Sequence, residues 1–123
     1  MNYQAIVAQL LNVEGALAAA VVDYDNGMLM AGSSTIKLDL EVAAVSSTEV
    51  IRSKIKTMQT LELNDEIDDI LITLGQHYHL IRPLRKLGSL YLYSVLDNKR
   101  ANLALSRRAL IDMEKKMTQT DDY

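Results

Sequence analysis

The chain has 123 residues, 49% hydrophobic and 24% charged, with a net charge of −3, one proline and no cysteine. The length fits one domain, residues 1–123, and the hydrophobic content excludes intrinsic disorder. The missing cysteines exclude a disulfide scaffold, a zinc ribbon and a thiol nucleophile. The longest apolar run, Ala16 to Val22, has seven residues, far fewer than the roughly 18 of a membrane span.

The charge distribution and the aromatic content indicate which classes of partner the chain could bind. The N-terminus has neither the basic start nor the apolar block of a signal peptide, which predicts a cytoplasmic protein. Without Trp or Phe, a base-stacking surface for single-stranded nucleic acid is disfavoured. Residues 38–75 carry eight acidic and three basic side chains, and residues 82–116 carry nine basic and three acidic ones. A duplex-DNA-binding domain is usually basic overall, so this distribution favours protein partners.

The first elements are predicted to be a helix and a β-hairpin. A helix is indicated by apolar residues at positions i, i+3, i+4, i+7 and i+8, namely Tyr3, Ile6, Val7, Leu10 and Leu11. The apolar runs 16–22 and 28–31 flank Asn26-Gly27, a strong tight-turn signal. Because the first strand is apolar on both faces, we expect helices on both faces of its sheet.

A second helix is predicted over residues 39–59, with Asp39 as its N-cap. Its inner face carries Leu40, Ala43, Ala44, Ser47, Ile51, Ile55 and Met58. The opposite face carries Val42, Val45, Ser46, Glu49, Arg52, Ser53 and Lys56. The two valines are notable because their neighbours on this outer face are polar.

Three strands and a last helix complete the chain. The strands are predicted at Ile67 to Leu74, His77 to Leu84 and Leu90 to Leu96. Pro83 must lie near a strand end or an open edge, since it cannot donate a ladder hydrogen bond. The third of these strands is apolar on both sides, which predicts a central position. The last helix is predicted to be capped by Asp97 or Asn98, with a frayed tail at 117–123. Its apolar face consists of Ala101, Leu103, Ala104, Leu110, Ile111, Met113 and Met117.

No residue pattern predicts catalysis, a metal or a cofactor. His77 and His79 share one face of a strand, but no third His or Cys exists to complete a metal site. The acidic run 65–69 lacks the order of a calcium loop, so we interpret it as a solvated strand entrance that discourages edge pairing. There is neither a Gly-x-Ser-x-Gly elbow nor a phosphate-binding loop. The sequence therefore predicts a protein that is not an enzyme.

Pairs of basic residues recur along the last helix at 99–100, 107–108 and 115–116. A solvated basic face is the simplest interpretation, and an acidic partner or an anionic membrane surface is the alternative.

Several strings, in this order and spacing, resemble the roadblock / dynein light chain superfamily, close to its bacterial branch of small-GTPase regulators. The resemblance covers residues 10–117. It rests on Val13-Glu-Gly-Ala16, Val21-Val-Asp-Tyr-Asp-Asn-Gly27, Asp39-Leu-Glu-Val-Ala-Ala44, Asp69-Ile-Leu-Ile-Thr-Leu74, His79-Leu-Ile-Arg-Pro-Leu84 and Leu96-Asp-Asn-Lys-Arg-Ala-Asn-Leu-Ala-Leu105.

The resemblance implies an α+β fold of order αββαβββα. Its five-stranded antiparallel sheet has the first and last helices on one face and the middle helix on the other. It also implies a homodimeric, non-catalytic regulator or scaffold of a Ras-like small GTPase, which acts on the switch regions of the GTPase. A structural dimeric adaptor without a GTPase partner is the alternative, and a small-ligand sensor is a third, which a deep polar-lined pocket would favour.

Two surfaces are expected from this reading. Dimerisation should pair the edge strand with its own copy and bring the middle helices together at the two-fold axis, through Val42, Val45, Ile67, Ile70, Ile72 and Leu74. The GTPase is expected to contact the polar stripe of the middle helix, formed by Ser46, Glu49, Arg52, Ser53 and Lys56.

Overall fold

The computed structural model describes residues 2–119 of the chain. Its elements follow the predicted order αββαβββα. Their bounds are α1 (Tyr3–Leu11), β1 (Ala16–Asp23), β2 (Met28–Ser34), α2 (Leu40–Thr60), β3 (Ile70–Thr73), β4 (His77–Pro83), β5 (Leu90–Asp97) and α3 (Leu103–Gln119). The strands form one antiparallel sheet in the order β2-β1-β5-β4-β3, so β5 is central and β3 lies at an edge, as expected.

Helices cover both faces of the sheet, which confirms the expectation from the apolar first strand. On one face, Ala19 and Val21 of β1 join the core formed by α1 and α3. On the other face, Ala18 and Ala20 pack in the core that includes Ala44 of α2. The alternating small residues of β1 therefore serve two cores at once.

The edge strand β3 is half as long as predicted, because the segment 67–69 and Leu74 lie outside it. Leu74 donates its amide to the His77 carbonyl at 2.8 Å, so alternate residues of β4 direct their backbone groups at β3. This alternation puts Pro83 opposite residue 68, where a donor is needed and proline has none. The side chain of Arg82 instead donates a hydrogen bond to the Asp68 carbonyl, at 3.2 Å.

The first strand enters the sheet through a close contact at Gly15. Its φ is +85°, and a Cβ atom at this position would lie 2.7 Å from the backbone of Ala101. Gly15 also accepts the Asp97 amide at 2.8 Å. The contact joins the entrance of β1 to the turn between β5 and α3, and only glycine fits it.

The last helix begins later than predicted, at Leu103. Neither Asp97 nor Asn98 is its N-cap, because both side chains are used elsewhere. Asp97 accepts the Lys99 amide, and Asn98 donates to the Gly75 carbonyl at 3.0 Å. The side chain of Asn102 takes the capping role and accepts the Leu105 amide at 3.2 Å.

The two ends of the apolar face of α3 also differ from the prediction. Ala104 is exposed rather than packed, because at 100° per residue it lies almost opposite to the buried side of the helix, which is formed by Ser106, Leu110, Met113 and Met117. At the other end, α3 continues to Gln119, and Met117 is fully buried where a frayed tail was predicted. The rest of that predicted tail, 120–123, lies outside the described residues.

Candidate interaction surface

Helix α2 presents an outer face that mixes apolar and charged side chains. Asp39 caps the helix as predicted, and its carboxylate accepts the amides of Glu41 and Val42. Val42 and Val45 are 61% and 52% exposed, which confirms their outward placement. The burial of two such side chains would stabilise an interface by about 2–4 kcal/mol, before any cost of association.

A buried pair of hydroxyl groups fixes α2 on the sheet. Tyr91 of β5 donates to the Ala44 carbonyl at 3.0 Å, and its hydroxyl lies 3.0 Å from that of Thr48. Burial raises the pKa of Tyr91 to about 12, although the contact with Thr48 opposes this shift. Tyr91 is therefore a neutral donor at physiological pH. Its hydrogen bond fixes the distance between α2 and the sheet.

A groove of about 630 Å³ separates α2 from the sheet edge. Asp69 and Ile70 form its edge side. The α2 side is formed by residues at helical spacing, which include Ser46, Glu49, Val50, Ser53, Lys54 and Thr57. Val50 was missed by the sequence analysis, although its position eight residues after Val42 puts it on the same side of the helix. Ser46 and Ser53, predicted as partner-binding, thus lie beside Ile70, predicted as a dimer residue.

The β3 edge is short, apolar and uncharged. By the alternation described above, Ile70 and Ile72 direct their backbone groups at β4, and Leu71 and Thr73 direct theirs out of the sheet. Ile72 is 36% exposed, and Leu74 also remains open to solvent. Ile67, by contrast, lies outside the strand and lines a separate cavity. An edge without charge, proline or bulge is open to pairing with another strand.

Arg52 lies on the other flank of α2, towards the hairpin. Its guanidinium donates to the Asp25 carbonyl at 3.4 Å, next to the turn at Asn26-Gly27. Glu49 borders both this flank and the groove beside β3. Lys56 is exposed one turn further along the helix. The predicted partner stripe is therefore divided between two flanks.

The two histidines lie on the same face of β4, with ring centroids 6.4 Å apart. The Nδ1 atom of His79 lies 2.9 Å from the hydroxyl of Tyr93. Burial, and secondarily the neighbouring His77, lowers the pKa of His79. Within residues 2–119, no group of three His, Cys, Asp or Glu side chains is arranged to hold a metal ion.

The acidic run 65–69 is not simply solvated. Arg85 forms ion pairs with Glu66 and with Asp68, the latter at 2.9 Å. Asp69 forms a two-pronged contact with Arg107 of α3. The run thus pairs with part of the basic segment within the same chain, while Glu66 and Asp68 remain solvated as expected, at 68% and 78% exposure.

A cavity of about 330 Å³ lies at the C-terminal end of α2. Its apolar walls include Tyr24, Ile55, Met58, Leu63, Ile67 and Pro83. Its charged rim includes Glu66 and Arg85, which are already paired with each other. Gln59 and Asp65 also line this cavity, so the small-ligand sensor stays an alternative.

In the described part of the chain, none of the helices has the length and apolar character to cross a membrane.

No protein-family model matches the sequence, and no curated protein matches it. Solved structures do match. A Roadblock/LC7 domain from Streptomyces avermitilis has a TM-score of 0.83 at 8% identity, over 96% of each chain. MglB of Myxococcus xanthus has a TM-score of 0.82 at 16% identity, over 95% of this chain and 92% of that one. A structure of MglB with a tetrameric arrangement has a TM-score of 0.68 at 14% identity, over 91% and 87%.

These likenesses agree with the αββαβββα order, the strand order and the distribution of helices described above. They confirm the resemblance drawn from the sequence at the level of the fold. The chain has the Roadblock/LC7 fold, shared with bacterial MglB.

Proposed function

We propose that the chain is a non-catalytic homodimeric regulator or scaffold of a Ras-like small GTPase. The observation that carries the proposal is the open, uncharged β3 edge beside the mixed face of α2. The GTPase role comes from the sequence resemblance, and the MglB-like fold supports it. A cytoplasmic location belongs to the same proposal.

The dimer would form by antiparallel pairing of β3 with its copy, which joins two sheets into one. Ile70, Ile72 and Leu74 would be covered there, and Val42 and Val45 would meet their equivalents near the two-fold axis. The tetrameric arrangement of one MglB structure shows that a protein of this fold self-associates. Static light scattering at micromolar concentration should give twice the 13.7 kDa mass of the chain. The mass of a single chain would contradict the dimer.

The GTPase would contact the stripe that contains Ser46, Glu49, Arg52, Ser53 and Lys56. This stripe carries both charge signs beside exposed valines, which suits a specific contact with a polar rim. A contact near the two-fold axis leads us to expect one GTPase per dimer. We expect the dimer to bias the populations of the switch-loop conformations rather than to donate a catalytic group.

Affinity purification from source cells tests the partner. The expected result is a protein with a Gly-x-x-x-x-Gly-Lys-Ser/Thr phosphate loop. Its binding should weaken about tenfold or more when Arg52→Glu and Lys56→Glu are combined. Undiminished binding, with the dimer intact, would rule out this face. A stable dimer that captures other proteins and no GTPase would favour the structural adaptor.

A further inference from the structure

The first half of α3 leaves apolar side chains uncovered on the side facing the sheet edge. An open groove of about 520 Å³ lies there, lined by Leu103, Ala104, Arg107, Arg108 and Ile111. Leu103 and Ile111 are half-buried and Ala104 is exposed, so apolar surface is open to solvent along this face of the helix. This groove is on the α1/α3 face of the sheet, opposite to α2.

The charges around this groove are mainly positive. Arg108 is exposed, and its guanidinium has no ion pair or hydrogen bond with any residue in 2–119. Arg100 before the helix and Lys115 two turns beyond Arg108 are also exposed. Asp112 is the one acidic side chain of α3 in the described chain that forms no ion pair, since Glu114 is bound to Arg82. The surface therefore presents an excess of positive charge beside apolar contact area.

An arginine on this side of α3 already binds a carboxylate within the chain. Arg107 holds Asp69 through two nitrogen atoms, at 3.0 and 3.3 Å, at one wall of the groove. Such two-pronged contacts are geometrically selective for carboxylates. Arg108, the next residue, presents the same group without a partner.

We propose that this groove docks an acidic amphipathic segment of a partner protein. Apolar side chains of the segment would lie against Leu103, Ala104 and Ile111, and its carboxylates would contact Arg108 and Lys115. Leu103, Ala104, Arg107, Arg108 and Ile111 recur at helical spacing on one face of α3, which matches the apolar face and charged flanks of an amphipathic helix. The docking site lies on the face of the sheet opposite to α2, so it is distinct from the stripe of α2 that is proposed to contact the GTPase.

Fluorescence anisotropy with a fluorescein-labelled helical peptide, Leu on one face and Glu on its flanks, tests the proposal. At low salt the peptide should bind with a dissociation constant below about 100 µM. Combining Arg108→Glu and Lys115→Glu should weaken binding about tenfold or more. Ala104→Gln, which fills the groove without a charge change, should weaken it about fivefold or more. Lys37→Glu, a charge reversal at an exposed site before α2, should leave the affinity unchanged.

Each other outcome is decisive. No binding, or binding indifferent to Ala104→Gln, would overturn the proposal, because the groove would then play no part. Vesicles of phosphatidylcholine with about one third phosphatidylserine provide the second arm. Sedimentation with these vesicles that is lost in Arg108→Glu, without peptide binding, would assign the surface to anionic lipid instead. Circular dichroism of every variant checks that the fold is retained.

Discussion

The carboxylate of Asp69 accepts two hydrogen bonds from Arg107, at 3.0 Å from Nε and 3.3 Å from Nη2, and so joins the start of β3 to α3. Within residues 2–119, β4 is the only strand beside β3. The ion pair between Asp69 and Arg107 therefore holds the start of β3 in place, at the point where Pro83 ends the hydrogen-bond ladder between β3 and β4.

Asp69→Asn should reduce the free energy of unfolding by about 1 kcal/mol, because the pair is charge-assisted but partly solvated. Urea unfolding would measure this change, which should shrink at high salt. Hydrogen exchange of the β3 amides should also accelerate. Asp112→Asn, which breaks no ion pair, is the control and should alter stability by less than about 0.5 kcal/mol. Equal effects of the two substitutions would contradict a structural role for the pair.

A pair of glycines tests the close contact at the entrance of β1. Gly15→Ala should destabilise the protein by more than about 2 kcal/mol, since the new methyl group would overlap the backbone of Ala101. Gly75→Ala should be neutral or slightly stabilising, because no atom lies within 4 Å of the added Cβ. Thermal unfolding of both variants would measure the difference. A tolerated Gly15→Ala would mean that the contact can relax.

The sequence predicted the element order because each element has a local signal, such as the Asn26-Gly27 turn or the Asp39 cap. It did not predict where β3 begins, because that depends on Pro83, which lies in a different strand. The cap of α3 was misplaced for a similar reason, since Asn98 is used by the turn at Gly75. Such choices depend on tertiary partners that no local pattern reveals.

The candidate surface was predicted in outline only. Helical spacing placed Val42 and Val45 outside correctly, because exposure on a helix follows a fixed angle per residue. The same angle could have identified Val50. The division of Ser46 and Arg52 between two flanks required the positions of β3 and the hairpin beside α2, and these are properties of the assembled sheet.

Tyr91→Phe tests the anchor of α2. The substitution removes a buried hydroxyl that contacts both the Ala44 carbonyl and Thr48, so the free energy of unfolding should fall by about 1–2 kcal/mol. Tyr78→Phe is the matched control, because the Tyr78 hydroxyl has no hydrogen bond with residues 2–119. Guanidinium unfolding should show a lower midpoint for Tyr91→Phe with an unchanged slope. A midpoint equal to that of the control would show that the anchor contributes nothing.

Stability should decrease as the pH falls below 6.5, the ordinary pKa of histidine. The folded pKa of His79 is lowered by burial and by His77, so the unfolded chain binds its proton first. The contribution of His79 is complete above pH 6.5 and is lost as the pH falls through the lower folded pKa. Urea unfolding between about pH 7.5 and 5.5 should therefore show a slope that His79→Gln flattens. An unchanged slope in that variant would assign the pH dependence to other groups.

Lysine substitutions at the two sheet edges would locate the proposed dimer interface. Ile72→Lys introduces a charge into the open β3 edge, where a paired strand would have to desolvate it, so the variant should be a monomer. Met30→Lys puts the same charge on the opposite edge strand β2, where Met30 is also exposed, and this variant should remain a dimer. Light scattering measures the mass of each, and circular dichroism confirms that each is folded. If the Ile72→Lys variant is a dimer and the Met30→Lys variant is a monomer, the dimer interface lies at β2 and not at β3.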